Sequence, residues 1–185
     1  MKLPKRDRVY GYPDWATSLP KIWPEHVFPL LNRYAPINWL EIGSFEGRSA
    51  LWTVENMFLD EDSRITCVDP WIPWDADRDF EANFDLNTHG ISRIVKRKGK
   101  SNDILPTLVS QRYHGVYIDG LHEAECALSD ARLSLPLLLP GAVMIFDDYQ
   151  WEPGGVKEEA NQFLNENPQV KPMFVGWQLV CQLAR

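Results

Sequence analysis

The sequence contains no paired cysteines, no long apolar segment and no excess of positive charge. Its three cysteines, Cys67, Cys126 and Cys181, are widely spaced, and none belongs to a Cys-x-x-Cys pair. This spacing excludes a disulfide framework and a zinc knuckle, so we expect reduced and mostly buried thiols.

A membrane-spanning helix needs a run of about 18 or more apolar residues, and the sequence has no such run. The first fifteen residues carry charges and prolines where a signal peptide would have its apolar core. We therefore expect a cytoplasmic protein that does not enter a membrane.

Acidic residues outnumber basic ones, with 26 Asp and Glu against 19 Lys and Arg, for a net charge of -7. This balance argues against binding to nucleic acid or to an anionic membrane through a basic face. The densest basic run, Lys96 to Lys100, is short and typical of a solvated strand edge. The length of 185 residues fits one domain, in which residues 1–24 would form an N-terminal arm.

Short apolar runs alternate with segments of helical periodicity along most of the chain. The runs predict strands at residues 37–43, 64–69, 93–99, 115–120 and 141–148. Helices are predicted at residues 47–59, 101–111, 122–139 and about 156–165, and the end of the chain favours an antiparallel pair of strands. Residues 71–90 lack a clear period and read as a long loop or partial helix. The pattern predicts an α/β fold: a doubly wound, mostly parallel, seven-stranded sheet with helices on both faces.

Acidic residues stand at or beside the carboxyl ends of four predicted strands. They are Glu41, Asp69, Asp119 and Asp147, and Asp148 follows the last of these directly. In an open, doubly wound sheet, ligands bind at this edge. Two adjacent aspartates repel each other, so the pair indicates either a solvated strand end or a site for a cation.

Two glycines, Gly43 and Gly47, lie between the first predicted strand and the first predicted helix. Glycine lets the backbone approach a ligand closely, and the helix amides point towards that ligand. Asp69, at the end of the next strand, could accept hydrogen bonds from both hydroxyls of a ribose. A tight turn without any ligand would carry the same glycines.

The combined pattern of these segments resembles the class I S-adenosylmethionine-dependent methyltransferases. More narrowly, it is similar to their small-molecule O-methyltransferase branch, which includes metal-dependent enzymes that methylate catechols and sugars. The resemblance covers about residues 37–149 and rests on Glu41–Ser49, Val68–Trp71, Gly99–Asp103, Tyr117–His122 and Phe146–Tyr149. It implies a Rossmann-like methyltransferase fold. The chain departs from the broad class at Phe45, where many members have a third glycine.

The resemblance implies S-adenosyl-L-methionine as the cofactor. In this family the glycine turn passes the methionine end of the cofactor, the acid after the second strand holds the ribose, and a Ser-x-Asp element lies beside the adenine. The corresponding cofactor-binding residues are Glu41, Gly43, Ser44, Gly47, Asp69, Trp71, Ser101 and Asp119.

The resemblance also implies a divalent cation beside the methyl group, held by Asp119, Asp147 and Asp148. Three oxygen ligands suit Mg²⁺ best and Ca²⁺ as well, and the absence of a converging His or Cys set argues against zinc. Such a cation would lower the pKa of the acceptor hydroxyl. His122 is a candidate general base, with Asp119 as the alternative; His122 could instead make a helix-start hydrogen bond or contact the cofactor.

The implied partner is a small molecule with a hydroxyl group, such as a sugar, a glycoside or an aromatic diol. The oligomeric state is left open, and a homo-oligomer is compatible with the sequence. Among the tryptophans, Trp71, Trp74 and Trp151 are expected beside the cleft. The apolar faces carry three more that are expected in the core: Trp39, Trp52 and Trp177.

Two other classes of function remain as alternatives. A nicotinamide-dependent oxidoreductase would need Gly-x-Gly-x-x-Gly, which Ser44, Phe45 and Glu46 interrupt, and it would give no task to Asp147 and Asp148. A metal-free methyltransferase or a non-catalytic cofactor-binding domain would tolerate an empty acid cluster.

Overall fold

The apolar runs form one seven-stranded sheet in the computed structural model, which describes residues 8–31, 34–121, 126–151 and 156–185. The order across the sheet is β3-β2-β1-β4-β5-β7-β6. Strands β1 to β5 are parallel, and β7 is antiparallel to both β5 and β6. The strands are β1 (Asn38–Ile42), β2 (Arg64–Asp69), β3 (Ile94–Lys98), β4 (Tyr113–Ile118), β5 (Leu138–Phe146), β6 (Val170–Val175) and β7 (Leu179–Leu183). The predicted fold class is confirmed.

Helices cover both faces of the sheet, as the doubly wound pattern requires. Helices α1 to α4 pack against one apolar cluster, and α5 to α7 pack against the other. The helices are α1 (Leu19–His26), α2 (Phe28–Leu31), α3 (Arg48–Asn56), α4 (Phe80–Thr88), α5 (Ser101–Ile104), α6 (Cys126–Ser134) and α7 (Lys157–Glu166). In the described part of the chain, none of them is both long and apolar enough to cross a bilayer.

Strand β1 contributes side chains to both apolar clusters. Its side chains alternate, so Leu40 and Ile42 join the cluster under α6 and α7, whereas Trp39 joins the cluster under α1 and α3. Glu41 lies on the same face as Trp39 and is fully buried. A buried carboxylate in a central strand costs free energy unless it is protonated or has a partner.

Two predictions, the end of one helix and the burial of one tryptophan, are wrong. The helix expected to reach residue 139 ends at Ser134, and β5 begins at Leu138, because Pro136 cannot continue an α-helix. Trp177 was expected in the core but is 46% exposed. The prediction of a long loop or partial helix at residues 71–90 is confirmed, because a loop leads into α4, whose N-cap Asp79 accepts a hydrogen bond from the amide of Ala82 at 2.9 Å.

The segment before α1 is bound to the rest of the molecule by polar contacts. The amide of Gly11 donates to both carboxylate oxygens of Glu46 at 2.9 Å. The Tyr12 hydroxyl donates to Asp75 at 2.7 Å, beyond β2. The segment therefore lies across the turn that follows β1.

Candidate functional site

The turn after β1 is built around a glycine that no other residue could replace. The amide of Gly43 continues the sheet by donating to the carbonyl of Val68 at 2.9 Å. Its φ is +86°, and a Cβ at this position would lie 1.9 Å from the carbonyl oxygen of Asp119. Only glycine therefore allows the ends of β1 and β4 to approach this closely, and this approach brings the turn next to Asp119.

Asp69, at the end of β2, holds this turn in place. One of its carboxylate oxygens accepts from the amide of Phe45 at 2.9 Å, and the other accepts from the amide of Trp71 at 2.6 Å. Phe45 and Trp71 have φ values of 44° and 48°, in the left-handed region that is unfavourable for residues with side chains. The carboxylate offsets this strain at both positions. Burial raises the pKa of Asp69, while the backbone donors oppose that rise.

Trp71 supports the turn with its side chain. Its indole N–H donates to the carbonyl of Phe45 at 2.7 Å. The ring is 6% exposed and lies 4.8 Å from the ring of Phe84 and 4.8 Å from Nζ of Lys96. The Trp71 ring therefore braces the turn and does not line the cavity described below.

Glu41 is a buried acceptor without a partner. Its side chain is fully buried, and neither carboxylate oxygen has a hydrogen-bond partner among the described residues. Burial raises its pKa to about 7. The nearby hydroxyls of Ser44 and Ser49 lower the pKa but do not reach hydrogen-bond geometry. An orphaned carboxylate under a ligand-binding turn fits a ligand that supplies a donor or a positive charge.

A cavity opens between the glycine turn and the N-terminal segment. Gly43, Ser44 and Asp119 line one side, and Tyr10 and Trp15 line the other. Three of the predicted cofactor residues therefore meet at one cavity, and the N-terminal segment forms its opposite wall.

Gly47 does not line this cavity. It stands at the N-cap of α3 with φ +80°, and a Cβ there would lie 3.1 Å from the side chains of Phe84 and Thr88. Its role in the structure is to let α4 pack closely against the turn.

The acid cluster forms at the ends of β4 and β5. The amide of Asp119 donates to Ile42 at 2.9 Å, and the amide of Asp147 donates to Ile118 at 3.0 Å, so both acids extend the sheet. Asp148 turns away with φ 51°, a conformation that aspartate tolerates better than most residues. One carboxylate oxygen from each of the three aspartates lies within 4.8 Å of the others.

This spacing is close to that of a divalent cation site. Two oxygens on one Mg²⁺ are at most about 4.2 Å apart, and on one Ca²⁺ at most about 5.2 Å. Side-chain rotations that bring the three oxygens closer together would allow all of them to bind one such ion. The residues present therefore fit a hard divalent ion.

Neutral groups hold Asp147, which is 5% exposed. The hydroxyl of Tyr117 donates to one oxygen at 2.5 Å, and the side-chain amide of Gln178 donates to the other at 3.0 Å. Burial raises the pKa of Asp147, and burial together with the charges of Asp147 and Asp148 raises the pKa of Asp119 well above its usual value. The cluster is thus electrostatically unfavourable until protons or a cation compensate it.

The predicted adenine side lies across the sheet edge from the acid cluster. Ser101 is the first residue of α5, and its hydroxyl lowers the pKa of Asp130, which burial raises to about 6. Asp130 is 4% exposed, and its carboxylate lies close to Gly120. His122, the predicted base, lies outside the described residues.

Sequence reasoning missed Tyr117, Gln178, Asp130 and Glu46. Asp130 could have been found, because it is an acid on the apolar side of α6. Glu46 was seen only as an interruption of the glycine pattern, yet it is 2% exposed and binds the N-terminal segment. Gln178 has no local signal, because its partners come from distant parts of the chain.

The sequence matches a family model described as a methyltransferase domain over residues 40–149, more than half of the chain. It is also 27% identical over 124 residues to uncharacterized protein R132 of Acanthamoeba polyphaga mimivirus. That match covers 63% of this chain and 55% of the viral protein, so the chain spans about half the length of this relative.

Solved methyltransferase structures share the fold. The O-methyltransferase TomG from Streptomyces achromogenes, involved in tomaymycin synthesis and solved with S-adenosylmethionine, has a TM-score of 0.65 and 22% identity, covering 94% of this chain and 83% of TomG. MycE, a methyltransferase of the mycinamycin pathway solved with Mg and S-adenosylhomocysteine, has a TM-score of 0.62 and 16% identity, covering 90% of this chain and 52% of MycE. At these identities the likeness extends to the fold.

Proposed function

Because the chain belongs to the methyltransferase-domain family, we propose that it moves a methyl group from S-adenosylmethionine to a hydroxyl of a small molecule, assisted by a divalent cation. The observation that carries this proposal is the convergence of Asp119, Asp147 and Asp148, with oxygens within 4.8 Å of one another. Asp119 also lines the cavity beside the glycine turn, so the cation and the cofactor would be neighbours.

Gly43, Ser44, Asp69 and Ser101 would hold the cofactor, with Glu41 beneath the turn. The cofactor supplies a methyl group on a positively charged sulfur. The Asp69 carboxylate accepts backbone hydrogen bonds from the glycine turn and from Trp71, and a carboxylate has about four lone-pair positions, so it can still accept from a ribose hydroxyl. The unpartnered oxygens of Glu41 supply negative charge under the same turn.

Asp119, Asp147 and Asp148 would hold the cation, with Mg²⁺ as the first choice. A bound cation supplies Lewis acidity that lowers the pKa of an acceptor hydroxyl. Asp147 presents its charge in a fixed orientation, because Tyr117 and Gln178 hold its two oxygens without neutralising them.

The hydroxyl proton must leave the acceptor during transfer, and Asp119 and His122 are the two candidates to receive it. The pKa of Asp119 is raised only while no cation compensates the acid cluster, so Asp119 suits the role of base in a metal-free reaction, and His122 is the candidate when Asp119 holds the cation. The role of His122 is implied by the family resemblance.

We assign the acceptor to sugars, glycosides or aromatic diols. Trp15 and Trp74 are 58% and 63% exposed. Their rings stack on Phe45 at 5.5 and 6.4 Å, and Trp15 and Phe45 line the cavity. Flat aromatic surfaces of this kind stack on sugar rings and on other aromatic rings.

The test is an assay of S-adenosylhomocysteine release with a panel of glycosides, phenols and diols, with and without Mg²⁺. Release that depends on both an acceptor and Mg²⁺ supports the proposal. Release that a chelator does not change favours a metal-free methyltransferase with Asp119 or His122 as base. Failure to bind S-adenosylmethionine in calorimetry would leave a non-catalytic domain.

A further inference from the structure

A fully buried glutamine, Gln178, connects the acid cluster to the N-terminal helix. Its side-chain nitrogen donates to Oδ1 of Asp147 at 3.0 Å and to the hydroxyl of Ser18 at 3.0 Å. Its side-chain oxygen accepts from the indole N–H of Trp23 at 2.8 Å. The amide therefore has a partner for each of its N–H groups and for its oxygen, as a buried polar group requires.

Trp23 fixes the orientation of the Gln178 side-chain amide. A glutamine amide can usually be turned over, which exchanges its oxygen and nitrogen. An indole N–H only donates, so the amide oxygen must face Trp23 and the NH₂ group must face Asp147. Trp23 is itself fully buried, with ring contacts to Trp39 at 5.5 Å and Tyr117 at 5.3 Å.

Asp147 is consequently held from two sides by donors that carry no charge. Gln178 contacts one oxygen, and the Tyr117 hydroxyl contacts the other at 2.5 Å. Two such contacts fix the plane of the carboxylate. None of these donors carries a charge, so the negative charge of Asp147 stays available to a cation.

We propose that Gln178 is a positioning residue that orients Asp147 for cation binding and makes this orientation depend on the docking of α1 through Trp23 and Ser18. The inference rests on the proposed function, because it requires that the acid cluster bind a cation. Outer-shell partners of metal ligands typically contribute about 10- to 100-fold to metal affinity.

The experiment measures the affinities for Mg²⁺ and for S-adenosylhomocysteine by calorimetry in the parent, Gln178→Leu and a matched control, Gln182→Leu. Gln182 lies on the same strand, β7, and donates one hydrogen bond at 3.0 Å to Gly141, away from the acids. We expect Gln178→Leu to bind Mg²⁺ about 10- to 100-fold more weakly, with S-adenosylhomocysteine affinity unchanged. The control should match the parent for both ligands.

Parent-like Mg²⁺ affinity in Gln178→Leu would overturn the role of Gln178, and so would an equal loss of affinity for both ligands, which indicates general distortion. If Gln178→Leu does not fold, Trp23→Phe removes the indole donor and keeps Gln178. Parent-like Mg²⁺ affinity in that variant then counts against the proposal. A parent that binds S-adenosylhomocysteine but no Mg²⁺ refutes the metal site itself, and with it the role of Gln178.

Discussion

The two halves of the sheet's carboxyl edge differ in what surrounds their carboxylates: backbone amide donors in one half and other carboxylates in the other. At the ends of β1 and β2, which we call the turn half, Asp69 receives backbone amides from Phe45 and Trp71. At the ends of β4 and β5, the acid half, the carboxylates of Asp119 and Asp147 lie within 4.8 Å of each other and of Asp148.

This difference shows that the turn half is stabilised by the chain itself, whereas the acid half needs a further charge to compensate its carboxylates. Asp69 stabilises the backbone on which it depends, so the turn half forms as part of the fold. The acid half gathers repelling charges, and the pKa values of Asp119 and Asp147 are raised as a result. Such a cluster gains stability when a cation arrives.

The largest effect is expected from substitutions in the acid half. Asp119→Ala or Asp147→Ala should abolish Mg²⁺-stimulated methyl transfer, because two remaining ligands hold the cation weakly. Binding of S-adenosylmethionine should persist in both variants. The assay is S-adenosylhomocysteine release with and without Mg²⁺, and Asp62→Ala, at an acid whose side chain is 85% exposed, is the control. Full activity in the Asp147 variant would reduce the cluster to a solvated strand end.

Glu41 differs from Asp69 in the turn half because its carboxylate has no hydrogen-bond partner among the described residues. The pH dependence of unfolding tests this difference. The pKa of Glu41 is about 7 in the folded chain against 4.5 for the ordinary group, so the folded state holds the extra proton between these values. The contribution of Glu41 to the free energy of unfolding should therefore be largest below pH 4.5 and fall by up to about 3 kcal/mol as the pH rises to 7 and above.

Glu41→Gln should lose this contribution, which can be measured as the difference between parent and variant in urea unfolding at pH 5 and pH 8. Other buried acids with raised pKa values, such as Asp130, add the same trend to both proteins and cancel in the difference. Identical pH slopes in the two proteins would show that Glu41 is not the buried, unpartnered group described above.

Removing the carboxylate from the turn half should have a somewhat smaller effect. Asp69→Ala is expected to weaken cofactor binding by roughly 2 to 3 kcal/mol, because ribose hydroxyls lose a charged acceptor and the turn loses its two backbone contacts. The fold should survive, and Mg²⁺ should still bind. Calorimetry with S-adenosylhomocysteine measures the loss, and unchanged affinity would remove Asp69 from the cofactor site.

The smallest effect is the stabilisation of the parent by metal. At ten times its Kd, Mg²⁺ should stabilise the folded state by about 1.4 kcal/mol, a rise in Tm of about 3 to 6 °C for a domain of this size. Asp119→Ala and Asp147→Ala should show a smaller rise, whereas Asp69→Ala should behave like the parent. Equal shifts in all four proteins would mean that the ion binds elsewhere.

The sequence predicted the parts of this edge that depend on local patterns. Buried parallel strands have nearly continuous apolar runs, and acids at their carboxyl ends meet at one edge, so the positions of Asp69, Asp119 and Asp147 followed directly. The family resemblance supplied the cofactor and metal roles, and the family itself is confirmed.

The rest depended on contacts between segments far apart in sequence. Helix α4 has weak periodicity because its buried face includes Asn87, whose amide binds the backbone of Val9 and Glu46. Trp71 reads as a cleft residue until its packing against Phe84 is known. No local pattern marks Gln178 as a partner of Asp147.

Trp23 and Gln178 are 155 residues apart in sequence, and this separation has a consequence for synthesis of the chain on the ribosome. Trp23 is synthesised first, and a nascent chain that has been synthesised as far as Asp148 already contains the glycine turn, Asp69 and the three aspartates of the acid cluster. It still lacks the amide that orients Asp147. Contacts of such long range also close late in folding. The ability to bind the cofactor should therefore appear earlier in biosynthesis than the ability to bind the cation. Cation-assisted methyl transfer would be the last property that the chain gains.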